Sequence, residues 1–265
     1  MLGDSFTFGQ GVGDDEAFPA QLERLLAARF GAADVQVLNA GVPGYGTVDE
    51  LRYLESRIGR LDPDLVVVQF LSVNDFHNNS APALGRVEVR DGWLYENEAP
   101  RPQPWRTLDW LKRKSRLASF VSERAGALAM RWGFMGASGG ETVDAAQADL
   151  AVATLKRIAE RAEQHGAASL FVLATGQAPV VAPEAPEVAA KAVVERAAQE
   201  AGAAFVDLTP QLRAQARRAS DNKLYYPLDG HWTAAGHAVA AETLAQAIAA
   251  HFGALLDVPS QSKTN

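Results

Sequence analysis

The stretch Asp62-Pro63-Asp64-Leu65-Val66-Val67-Val68-Gln69-Phe70-Leu71-Ser72-Val73-Asn74-Asp75 decides the architecture of this chain. Its middle, LVVVQFL at residues 65–71, is almost continuously apolar. A half-exposed strand would alternate with period two, so an unbroken run introduced by Asp-Pro-Asp reads as a strand buried on both faces of a parallel sheet. Parallel neighbours need crossover connections, and the flanking sequence supplies them. Residues 18–30 (FPAQLERLLAARF) set Leu22, Leu25, Leu26 and Phe30 at helical spacing, and residues 35–38 form a short β-branched run ending at Asn39. Residues 47–60 carry Leu51, Leu54 and Ile58 on one face. Farther on, helices are predicted over residues 144–165, 186–201 and 232–252, with strands over 169–174 and 204–208. This alternation predicts a doubly wound α/β layer architecture.

The rhythm breaks at about residues 77–140. Residues 87–95 (VEVRDGWLY) hold an Asp-Gly turn between two short strand-like runs, which is a hairpin signal. Pro100, Pro102 and Pro104 follow as an extended linker, and residues 108–130 read as a basic amphipathic helix with Leu111, Leu117, Phe120 and Val121. The segment is too short and too punctuated for a large core, so the expectation is one domain over residues 1–253 carrying an insertion. Such an insertion is a candidate lid or substrate wall, with a solvated excursion as the plain alternative. Residues 254–265 show no pattern and are expected to be disordered.

The 265 residues carry 25 basic and 32 acidic side chains, a net charge of -7, and no cysteine. A chain of this size buries a sizeable core. Without cysteine there are no disulfides, thiolate metal sites or cysteine nucleophiles, a composition that fits either redox compartment. No basic block exceeds Lys112-Arg113-Lys114, which argues against nucleic-acid and anionic-membrane partners. No run approaches the roughly 18 apolar residues of a membrane span. Met1-Leu2 turns at once into Gly3-Asp4-Ser5, which leaves no signal peptide and no room for a full strand. Either the native start lies upstream, with export then open, or Met1 starts a cytoplasmic chain whose sheet lacks a central strand.

Serine nucleophilic catalysis needs a base within reach, a group orienting that base, and donors for the developing oxyanion. Four segments offer these parts: Gly3-Asp4-Ser5-Phe6, Asn39-Ala40-Gly41-Val42-Pro43-Gly44, Ser72-Val73-Asn74-Asp75 and Asp229-Gly230-His231-Trp232. Loops after the strands of an open α/β sheet gather at its carboxyl edge, so the four are expected to meet there. Together, in this order, they resemble the four blocks of the SGNH hydrolases, the GDSL esterase and lipase family. That resemblance spans residues 1–252 and implies a flavodoxin-like three-layer α/β/α sandwich with a central parallel sheet. It implies Ser5 as nucleophile, His231 as general base and Asp229 as the residue holding the imidazole. The backbone N–H groups of Ser5 and Gly44 and the Asn74 amide would form the oxyanion hole, with no cofactor or metal.

The match departs from the family pattern in places. The aspartate stands two residues before the histidine instead of three, Leu228 occupies the usual position, Ser72 replaces a glycine, and Phe6 a leucine. The Asp-x-His-Trp form is similar to the branch containing polysaccharide O-acetyltransferases and acetyl esterases. The implied function is a serine esterase for short-chain, above all acetyl, esters of small molecules or saccharides. O-acyl transfer to a sugar hydroxyl and non-catalytic carbohydrate binding are the alternatives. Trp93, Tyr95, Trp105 and Trp110 suggest a sugar-facing or acyl-covering wall, unless they only pack the insertion onto the body.

Each residue also has a plainer reading. Ser5 and Gly44 could be turn formers, Asn74 an Asx turn, His231 a surface residue and Asp229 a helix-terminal carboxylate. A rival nucleophile, Ser138 in Gly136-Ala137-Ser138-Gly139-Gly140, fits the G-x-S-x-G elbow with Asp207 and His231. It lacks a preceding strand, and Ser138 with Glu141 reads better as a capping box opening the next helix. Gly9, Gly11 and Gly13 read as a glycine-rich turn, because no strand precedes them as a phosphate loop requires. Asp229, His231, His237 and His77 show no metal-ligand spacing.

Overall fold

The computed structural model describes residues 1–31, 34–80, 87–90, 93–96, 115, 143–181, 189–218, 224–227 and 229–256. Its strands are β1 (Leu2–Gly3), β2 (Ala40–Gly41), β3 (Leu65–Leu71), β4 (Val87–Arg90), β5 (Trp93–Glu96), β6 (Ala168–Ala174) and β7 (Ala204–Asp207). Five form one parallel sheet ordered β2-β1-β3-β6-β7, while β4 and β5 make a separate antiparallel hairpin. Counted along the central sheet alone, the order is that of the flavodoxin-like doubly wound fold. The helices are α1 (Ser5–Phe8), α2 (Phe18–Phe30), α3 (Thr47–Leu61), α4 (Asp75–Ser80), α5 (Ala145–Gln164), α6 (Gln177–Val181), α7 (Ala189–Ala201), α8 (Thr209–Arg218) and α9 (Ala234–Leu256).

The continuous apolar run is explained by burial on both faces. Val66, Val68 and Phe70 join one core with Leu54 and Ile58 of α3, Leu155 and Ile158 of α5 and Val194 of α7. Val67 and Leu71 point the other way, into a core with Leu22 and Leu26 of α2 and Ala241 and Leu244 of α9. β6 repeats the pattern, with Phe171 and Leu173 in the first core and Leu170 and Val172 in the second. Period two on each face gives three layers, with the sheet in the middle.

Several expectations need correction. The central strand is not lacking: β1 has two residues, yet Leu2 pairs with Ala40 on one side and Val68 on the other, and Gly3 pairs with Gly41. Hydrogen bonds from Ala40 N–H to the Met1 carbonyl (2.9 Å) and from Val42 N–H to the Gly3 carbonyl (3.0 Å) extend its ladder. Residues 35–38 are not in a strand: pairing with β1 is at Ala40 and Gly41, the Leu38 carbonyl accepts from the Met1 amino group at 2.7 Å, and Val37 N–H donates to Glu23 Oε2 at 2.6 Å. A capping box of Asp144 with Gln147 opens α5, while Ser138 and Glu141, read as such a box, lie outside the described residues. The last helix runs through Leu256, past the expected boundary, and residues 257–265 lie outside the described residues. By length and composition alone α9 is apolar enough to cross a membrane. Its Ala240, Ala241, Leu244, Ala245 and Ile248 are nonetheless buried, and the helix packs on α2.

Candidate active site

Ser5 is placed by a sharp transition from strand to helix. β1 stops at Gly3, Asp4 caps α1 by accepting the Phe6 N–H at Oδ1 (2.9 Å), and Ser5 is the first helical residue. A helix's first N–H groups lack intrahelical partners, so the Ser5 N–H is left for another acceptor. Only glycine fits at position 3, where a Cβ would lie 2.1 Å from Thr7 Oγ1 and 2.9 Å from Gln69 Oε1. Those two groups are themselves bonded, Thr7 Oγ1 donating to Gln69 Oε1 at 2.8 Å, which fastens α1 to the middle of β3. Gly9, with φ +90, closes the short helix.

His231 arrives from the opposite end of the chain. Its Nε2 lies 2.8 Å from Ser5 Oγ. The loop that carries it is held mainly by backbone: Tyr226 N–H donates to the His231 carbonyl (2.8 Å), Gly230 N–H to the Tyr226 carbonyl (2.9 Å), and Tyr225 bridges Trp232. Trp232 is fully buried, and the Phe6 ring lies 5.1 Å from the imidazole. Asp229 is held less closely. Its Oδ1 accepts the backbone N–H of His231 (3.0 Å), its Oδ2 stands 3.6 Å from Nδ1, and the side chain is 51% exposed. Nδ1 has no hydrogen-bond partner among the described residues.

Asn74 ends the turn after β3. Ser72 does not prevent that turn, since its N–H donates to the Ala174 carbonyl at 3.0 Å. Asn74 Nδ2 donates to Asp4 Oδ2 at 2.8 Å, and because an amide carries two N–H groups this bond uses one of them. Gly44 lies exposed beyond β2, in a turn where Tyr45 N–H donates to the Val42 carbonyl (3.1 Å). Its φ of +83 favours glycine, while a Cβ there would meet nothing within 4 Å. The Ser5, Gly44 and Asn74 segments thus follow β1, β2 and β3 at the carboxyl edge. A serine hydroxyl hydrogen-bonded to an imidazole can give up its proton as it attacks.

The GDSL-like lipase/acylhydrolase family model matches residues 1–239. The chain belongs to this family. It is a carboxylic ester hydrolase, and its architecture is the one such enzymes share. LAE5, an alpha/beta hydrolase enzyme from the metagenome of Lake Arreo, Spain, superposes with a TM-score of 0.57 at 16% identity, covering 93% of this chain and 92% of the other. A catalytic mutant of Axe2, an acetylxylan esterase from Geobacillus stearothermophilus, gives 0.55 at 17% identity over 93% and 91%. TesA gives 0.54 at 17% over 93% and 95%. No curated protein matches the chain.

Beneath the site of this GDSL hydrolase lie carboxyls that the sequence reading passed over. Asp4, Glu50 and Asp75 are all buried. Burial raises the Asp4 carboxyl above its ordinary value, although its bonds to Asn74 and Phe6 and the nearby His231 oppose the shift. Glu50 and Asp75 are raised well above theirs, again chiefly by burial and further by neighbouring acids, Asp4 being common to both. Gln69 within an apolar run and Asp4 beside the candidate nucleophile were the available signals. His237 is buried, accepts the Phe18 N–H at Nδ1 (3.3 Å), and is lowered to about 4 by burial and then by His231. Asp207 accepts the Thr209 N–H (2.9 Å) at the start of α8, away from an elbow role, and Ser138 lies outside the described residues. Gly11 belongs to a turn tied to Tyr226, whose hydroxyl donates to the Gly11 carbonyl at 2.8 Å. Among the described residues no three His, Cys, Asp or Glu side chains are grouped to hold a metal.

Proposed function

We propose that this hydrolase is a serine esterase that works through an acyl-enzyme and removes short acyl groups, above all acetyl, from carbohydrate esters. The observation that carries the mechanism is the 2.8 Å approach of Ser5 Oγ to His231 Nε2. Ser5 Oγ attacks the ester carbonyl carbon while Nε2 takes the hydroxyl proton. The carbonyl oxygen becomes an oxyanion, received by the N–H groups of Ser5 and Gly44 and the free amide N–H of Asn74. Collapse breaks the bond to the alkoxy oxygen, and His231 returns the proton to the departing alcohol. Water then attacks the acyl carbon with His231 as base, releasing the acid and restoring Ser5. Asp229 favours the tautomer that leaves Nε2 free.

The substrate class rests on likeness. Axe2 is an acetylxylan esterase, and its catalytic mutants replace a serine, an aspartate or a histidine, the residue types proposed here. The Asp-x-His-Trp block at residues 229–232 points the same way. Hydrolysis of p-nitrophenyl acetate should be lost in Ser5→Ala by at least about 10³-fold and should fall with acyl length. Loss under tenfold excludes Ser5 as the nucleophile. The chain is further read as one domain whose insertion forms the substrate wall, since the β4–β5 hairpin lies beside α5. Trp93 and Tyr95 are in β5, while Trp105 and Trp110 lie outside the described residues. Deleting residues 85–105 should raise KM for acetylated xylo-oligosaccharides severalfold; an unchanged KM removes the wall.

A further inference from the structure

α4 makes contacts that its position after Asn74 does not require. Asn79 is 1% exposed and reaches across to the start of α3. Its Oδ1 accepts the Val48 N–H at 3.2 Å, and its Nδ2 donates to Thr47 Oγ1 at 2.6 Å. Beside it, Asn78 Nδ2 donates to the Tyr45 carbonyl at 3.3 Å. All three bonds end on residues 45–48, the segment that directly follows Gly44.

The local sequence explains why this arrangement is needed. The first N–H groups of a helix lack partners, and a Ser, Thr, Asp or Asn at the N-cap normally supplies one. The N-cap of α3 is Gly46, which makes no side-chain cap bond. Its φ of -108 does not demand glycine; space does, because a Cβ there would lie 2.6 Å from Asn79 Oδ1 and 2.9 Å from Asn78 Cβ. The cap that Gly46 cannot provide comes instead from α4. The other end of α4 is joined to Asn74, whose carbonyl accepts the Asn78 N–H at 2.7 Å.

We infer that Asn79, assisted by Asn78, is the positioning residue of the oxyanion hole: it locks the Gly44 turn to the element that carries Asn74 and so sets the spacing of those two donors. The inference rests on the oxyanion roles proposed above for Gly44 and Asn74. Without the bond to Val48, the Gly44 turn is free to shift against Asn74, and small displacements of oxyanion donors weaken transition-state binding more than substrate binding.

The test is steady-state hydrolysis of p-nitrophenyl acetate by Asn79→Ala, Asn78→Ala, Gly46→Ala, Asn74→Ala and Val194→Ala, with Tm and phenylboronic acid inhibition measured for each. Asn79→Ala is expected to lower kcat about 10- to 100-fold with KM within about twofold, and to weaken the tetrahedral boronate in parallel. Asn78→Ala and Gly46→Ala should move the same quantities less, by about three- to tenfold, and they carry the test if Asn79→Ala does not fold. Val194→Ala, in the core under α7, should lower Tm while leaving kcat within about twofold, which separates positioning from general stability. If Asn74→Ala loses about 10² or more while the α4 and Gly46 variants keep kcat within twofold, the positioning role is wrong and the oxyanion reading stands. If Asn74→Ala itself stays within threefold, the oxyanion assignment fails and takes this inference with it.

Discussion

The serine half and the histidine half of the site are held by different physics. Around Ser5 the fastening is by polar side chains, with Asp4 bonded to Phe6 and Thr7 to Gln69 in buried contacts and Asp4 to the half-buried Asn74. Around His231 it is by backbone bonds and aromatic packing, while Asp229, the acid proposed to orient the ring, is half exposed with its Oδ2 3.6 Å from Nδ1. Buried hydrogen bonds have no competing water, so each fixes one geometry and leaves a costly orphan if broken. An exposed carboxylate near an imidazole contributes less, since solvent screens it. The difference teaches that Ser5 and Asn74, the proposed nucleophile and oxyanion donor, are held by side-chain bonds, whereas His231, the proposed base, is oriented by its loop more than by Asp229.

The sharpest way to break that comparison is at Asp4. Asp4→Asn would set an amide N–H₂ against the Asn74 amide, forcing Asn74 to rotate its donor away. The expected loss in kcat is about 10²–10³, similar to removing an oxyanion donor outright. Parallel kinetics of Asp4→Asn and Asn74→Ala check this, and their double mutant should be little worse than either single because they remove one interaction. An Asp4→Asn loss under threefold would show that the serine half is not locked through this carboxylate.

On the histidine side a smaller effect is expected. Removing the acid of a serine triad with a close hydrogen bond costs about 10⁴. Because Asp229 Oδ1 is already engaged by the His231 N–H and Oδ2 lies beyond hydrogen-bond length from Nδ1, Asp229→Ala should cost only about 10- to 100-fold in kcat. A measured loss near 10⁴ would mean that the loop tightens around bound substrate, and the two halves would then be held alike.

The same contrast explains what the sequence made legible. The run LVVVQFL marks β3 to the residue, because a strand buried on both faces is apolar at nearly every position, Gln69 excepted. The four motif blocks bring Ser5 and His231 into contact, since each sits in a short loop of recognisable composition. The turn after β2 was located, but β2 itself was expected too early, because the apolar run at residues 35–38 does not mark which residues pair, and the pairing falls at Ala40 and Gly41. α8 (TPQLRAQARR) was missed because its polar sequence buries only Thr209 and Leu212. Asp4, Gln69 and Asn79 were not read as structural parts, since a polar side chain earns burial only from partners distant in the chain. The one local sign of Asn79's role was a glycine at position 46, where a helix normally carries its own cap.

The smallest effect concerns stability instead of rate. Glu50 is buried under the serine half, and neither of its carboxyl oxygens has a hydrogen-bond partner among the described residues. Burial first, then the charges of Asp4 and Asp49, raise its carboxyl well above the ordinary value of 4.5, against an opposing pull from the chain's amino group. Below that ordinary value the folded and unfolded chains are both protonated at this group, and its contribution to stability is fully present. As pH rises the unfolded chain releases the proton first, so stability falls until the folded carboxyl also ionises. Asp75 adds a fall of the same sign, beginning nearer its ordinary 3.8. Glu50→Gln removes one of these terms while keeping the shape, so its Tm should decline less than wild type between about pH 5 and 8, with kcat on p-nitrophenyl acetate nearly unchanged. An identical Tm profile would show that Glu50 is not held neutral. A shallower profile with unchanged kcat would show instead that the polar network around Ser5 stands over a carboxyl kept protonated, whose ionisation costs stability without altering catalysis.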